Sequence, residues 1–199
     1  MSVLKASRTR TCILLLVANC CCLLFARTSS QGSPRVNQDS LIIRDFENRV
    51  ADYVKLHKKV QAEAPAPKRT DSAAKIKEAQ VTAAPKIRTA RPEAKQGDIF
   101  TPEISQLFRR LIATPLKGPD GPQIRASLRH AEPVDGIHLR VNAPYPEGVP
   151  LQSTPPSLLL NLPQLPPELE YRIVGRALVL RDVGANVIVD FIPGAIPSA

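Results

Sequence analysis

Apolar and polar positions alternate most regularly between Glu168 and Ile192, in the stretch ELEYRIVGRALVLRDVGANVIVDFI. Side chains of a strand fall on opposite faces in turn. Leu169, Tyr171 and Ile173 therefore share one face, with Glu170 and Arg172 on the other. Leu178 and Leu180 oppose Ala177, Val179 and Arg181; Val187, Val189 and Phe191 oppose Ile188, Asp190 and Ile192. Glycine in the Gly175-Arg176 and Val183–Asn186 breaks suits tight turns, so the stretch predicts an antiparallel meander. Ile137, Leu139 and Val141, alternating with His138, Arg140 and Asn142, predict a fourth strand.

Elsewhere the period is helical. Ile43, Phe46, Val50, Tyr53, His57 and Val60 recur every three or four residues, a seam on a helix that Asp39 or Ser40 would cap. His57 reads as a filler of this seam, since no ligand type is spaced near it. After Pro65 and Pro67, a weaker stripe of Ala73, Ile76, Gln80, Ala83, Ile87 and Ala90 predicts a second helix, ended or kinked at Pro85. The pair predicts a helical hairpin; the competing reading leaves 62–96 disordered, because alanine, lysine and proline bury little apolar surface. Ile104, Leu107, Phe108, Leu111 and Ile112 then mark the strongest amphipathic helix, 101–114, with Thr101 as cap and Pro102 in its first turn. It is the expected cover for the meander. Short helices are expected over 123–130 and from Thr154-Pro155 through Leu160.

Residues 1–26 change the picture from fold to destination. Lys5, Arg8 and Arg10 precede an apolar run from Cys12 to Ala26 broken by Asn19, the make-up of an export signal. Leu24-Phe25-Ala26 is a poor cleavage site, which leaves retention as an N-terminal anchor open, as well as lipidation at Cys20. All four cysteines (12, 20, 21 and 22) lie in this segment. The exported body thus has no thiol for a disulfide partner, a zinc–thiolate site or a nucleophile. The five Phe, three Tyr and absent Trp point to a mainly aliphatic core.

Positive charge is concentrated upstream of the meander. Residues 27–98 carry fifteen Lys/Arg against nine Asp/Glu, whereas 99–199 carry nine of each. Residues 55–95 hold eleven basic against four acidic side chains, which suits a solvated helix face or attraction to an envelope protein, an anionic membrane or an acidic polymer. Nucleic acid is excluded as a partner by the export signal and the lack of interleaved aromatics. No nucleophile elbow, phosphate-binding glycine loop or paired-histidine metal motif is present in the sequence. His130, Asp135 and His138 are the one tight group of metal-ligand types, and they sit in a turn leading to a strand. No catalytic residue and no cofactor is expected. Glu170, Arg172, Arg181 and Asp190 are expected to form cross-strand pairs.

From Leu41 to Ile192 the chain resembles a group of exported bacterial proteins without an assigned activity. The resemblance rests on GDIFTPE (Gly97–Glu103), HLRVN (His138–Asn142), YPEGVPL (Tyr145–Leu151) and the LPPELEYRIVG…LVLRDVGANVIVDFI ending. It implies a shared fold and export. The Leu165–Ile192 meander alone is similar to the C-terminal sheet of periplasmic nickel/cobalt-homeostasis proteins, but this chain has no histidine-rich stretch. The expected architecture is α+β: a signal or anchor (1–26), a tether (27–38), a basic helical hairpin (39–96), a body of one or two helices on about four antiparallel strands (97–193), and a tail (194–199). The expected role is that of a non-enzymatic envelope protein, periplasmic or anchored facing that side, serving as an interaction or accessory module. Two alternatives stand beside it. One is an enzyme or small-ligand binder with a site between helix 101–114 and segment 143–167; the other is an adaptor pairing through the 43–60 seam.

Overall fold

The computed structural model describes residues 37–63, 72–130, 137–146 and 156–197, except the side chains of 129, 130 and 156. The expected signal, Cys20, most of the tether, the Pro65/Pro67 break, Asp135, the side chain of His130 and the 147–155 stretch lie outside these residues. Residues 37–199 form one compact unit. Its elements run α1 (Gln38–Glu63), α2 (Ala73–Ala90), α3 (Pro102–Lys117), α4 (Gly121–His130), α5 (Pro156–Leu159), β1 (Leu169–Val174), β2 (Ala177–Asp182) and β3 (Val187–Ile192). The strands pair antiparallel in the order β1-β2-β3. The α+β class is therefore observed.

The meander forms where the alternation placed it. Gly175 takes φ 56° in the two-residue turn that joins Val174 to its partner Ala177, a conformation that favours glycine. Leu178 and Leu180 are wholly buried and share a core with Leu169 and Ile173. α3 lies in that same core through Ile104, Leu107, Phe108 and Ile112, each at most 1% exposed. It starts as its sequence demands: Pro102 opens the first turn, and the Thr101 hydroxyl accepts from the Ile104 amide. Rings gather at the centre, with Phe46 4.9 Å from Phe108 and Phe108 6.2 Å from Tyr171. Phe46, Phe100, Phe108 and Tyr171 thus meet in one cluster inside a largely aliphatic core.

Several expectations need correction. α1 contributes Phe46, Val50, Tyr53 and Val54 to the central core. Its cap is Asn37, whose Oδ1 accepts from the Asp39 amide, rather than Asp39 or Ser40. α2 runs past Pro85 to Ala90. Proline frees the carbonyl of Val81, a residue 64% exposed, so that loss falls on the solvent side. α3 similarly continues through Pro115 to Lys117.

The sheet has three strands, not four. Residues 137–140 are irregular, and Asn142 turns the backbone into the left-handed region at φ 64°. Only a short piece then pairs with β3: Asn142 donates to Ile188, Ile188 to Ala143, and Tyr145 to Asn186. Pro144, which has no N–H, makes a single bridge with Val187. This piece still covers the second face, where Tyr145, Val174, Val179 and Ile188 pack with Ile137 and Leu139.

β3 also departs from strict alternation. Leu180 pairs with Asp190 while Arg181 pairs with Ile188, so Val189 is an extra, bulged residue. The bulge reverses the phase beyond it. Val187 and Val189 keep to the helix-covered side, but Ile192 joins them in place of Phe191, which packs on the other face.

Candidate functional site

Two buried carboxylates hold the helices to the sheet. Asp182, at the end of β2 and 0% exposed, accepts from three donors. The Tyr53 hydroxyl and His57 Nδ1 each lie 2.6 Å from its Oδ2, and the Ala185 amide lies 2.7 Å from its Oδ1. Tyr53 and His57 occupy successive turns of α1, which is why both reach one carboxylate. Burial, followed by the Asp182 charge and hydrogen bond, pushes the Tyr53 phenol far above its ordinary range, with Arg91 pulling slightly the other way. The Arg91 guanidinium sits 5.2 Å from the Tyr53 ring centroid and donates to the Val189 carbonyl. His57 is 1% exposed and is walled in by Gly184. A Cβ on that glycine would lie 3.1 Å from His57 Cε1 and from the Gln61 amide nitrogen.

Asp190 plays the matching role on β3. Its Oδ2 accepts from the Ile99 amide at 2.9 Å and the Phe100 amide at 2.8 Å, and its Oδ1 from Gly97 at 3.0 Å. Gly97 takes φ 92°, which lets three amides converge on the carboxylate. The GDIF motif is therefore a backbone cup closed around Asp190. It fixes the start of α3. The expectation that Asp190 makes a cross-strand ion pair is corrected, because the bulge turns it toward this cup.

Glu170, Arg172 and Arg181 do pair. Both guanidiniums bond the Glu170 carboxylate, Arg172 at 2.6 Å, and Arg181 also donates Nε and Nη2 to Asn186 Oδ1. Burial alone would raise the Glu170 pKa, but hydrogen bonds and charge from the two arginines outweigh it and hold the carboxyl below its usual range. Arg181 lies 5.0 Å from the Tyr145 ring centroid. Burial raises the Tyr145 phenol, against the pull of Arg172 and Arg181.

Tyr145 and Asn186 also help line an open groove of about 460 Å³ between α2 and the 144–145 bridge. Ile76, Val81 and Ala84 make its apolar wall, and Lys77 and Arg88 are its charged lining residues. Gln80 fixes the helix in place by donating to the Val183 carbonyl at 3.0 Å. A second groove, of about 430 Å³, lies between α1 and Gln164/Pro166 over Phe46, Val50 and Val54, with Lys55 and Lys58 at its edge.

The sequence candidates fare differently. His138 is exposed on the irregular 137–140 stretch. Among the described residues, no group of three or more His, Cys, Asp or Glu is placed to hold a metal. The seam residues Phe46, Val50, Tyr53, His57 and Val60 are all buried against the chain itself, so the adaptor alternative loses its free surface. On α3, Ile104, Leu107, Phe108 and Ile112 are buried in the core they share with the sheet and with Leu158 of α5. The groove found near the proposed ligand-binding segment is instead built on α1. Sequence reading missed the Asp182 clasp and the α2 groove. The clasp had one sequence signal, a polar seam position at His57. Among the described residues, no helix is long and apolar enough to cross a membrane. No protein-family profile, curated protein or solved structure matches this chain.

Proposed function

We propose that this chain is an exported envelope protein that acts by binding, as an interaction or accessory module, and not by catalysis. The observation that carries this reading is where the His57 imidazole and the two fixed carboxylates sit. His57, Asp182 and Asp190 are 1%, 0% and 0% exposed, and each makes hydrogen bonds that tie one element to another. A general acid or base must reach a substrate proton. These groups instead make the rigid frame on which an open, basic groove is carried. The basic leader and apolar run at Lys5–Ala26 support export.

The test is fractionation of the native cell followed by mild cross-linking and recovery of the full chain from the envelope fraction. The expected result is a defined protein neighbour in that fraction. Recovery of the intact chain from the cytosol would sink the export reading. Turnover of a substrate by the purified protein, abolished by His57→Phe in a variant that still folds, would sink the binding reading.

A further inference from the structure

We draw no further inference here: the strongest candidate, the open apolar groove of about 430 Å³ lined by Phe46, Val50 and Val54 of α1 and by Gln164 and Pro166, carries nothing, because Lys55 and Lys58 at its edge are already paired with Asp52 and Glu168 and nothing in the structure shows what covers it.

Discussion

Three buried polar groups converge on Asp182. Truncation to Ala leaves the Tyr53 hydroxyl, the His57 Nδ1 position and the Ala185 amide facing an empty, dry site. Asp182→Ala is therefore expected to lower unfolding free energy by about 3–5 kcal/mol, measured by urea denaturation. Asp182→Asn, which retains one acceptor oxygen, is expected to lose clearly less. Equal losses would mean that volume, not hydrogen bonding, sets the cost. Glu170 gives a second test. Its folded pKa is lowered by Arg172 and Arg181, so its contribution is present above the ordinary carboxylate pKa and is lost as pH falls through the folded value. Stability is expected to drop in the parent as pH falls below the ordinary carboxylate range. In Glu170→Gln that drop is expected to be shallower, which denaturation midpoints across the window will report. At this scale the sequence was only partly legible. Alternation put Glu170, Arg172 and Arg181 on one face, and their pairing followed. Nothing local in the sequence marks a bond between residues 57 and 182, because that depends on how distant elements dock.

Elements were more legible, because period and capping are local properties. The 3–4 spacing gave α1 and α3, and alternation with glycine turns gave β1 to β3. Failures cluster where a tertiary partner decides. Val141 and Asn142 look like strand, but a left-handed turn at Asn142 and the missing amide of Pro144 leave only a fragment to pair. Pro85 looks like a stop, yet Ala84 and Ile87 are anchored against Val60 and Val187, which holds the helix together across it. α3 shares the central core with the sheet. Leu107, 1% exposed, is expected to cost about 2–5 kcal/mol as Leu107→Ala. Val81→Ala, on the open side of α2, is expected to stay within about 0.5 kcal/mol of the parent in the same assay.

Over the whole molecule, the polar bonds tie early sequence to late sequence. α1 is joined to β2 through Asp182, and the 97–100 cup to β3 through Asp190. The helical hairpin and the body are therefore expected to unfold together. Calorimetric and van't Hoff enthalpies should agree, and amides of α1 and β2 should exchange with one common free energy. A separate early transition for α1 would show that the core contacts of Phe46 and Val50 are dispensable. The basic surplus ends near residue 98, while α1, upstream of it, shares one core with the sheet.

The bonds to Asp182 and Asp190 also impose an order in time. Tyr53 and His57 are made long before the carboxylate that receives them, and the cup at Gly97 waits on a strand close to the C-terminus. Such a chain cannot complete its interior until β3 has been made, so its closure depends on contacts far apart in sequence.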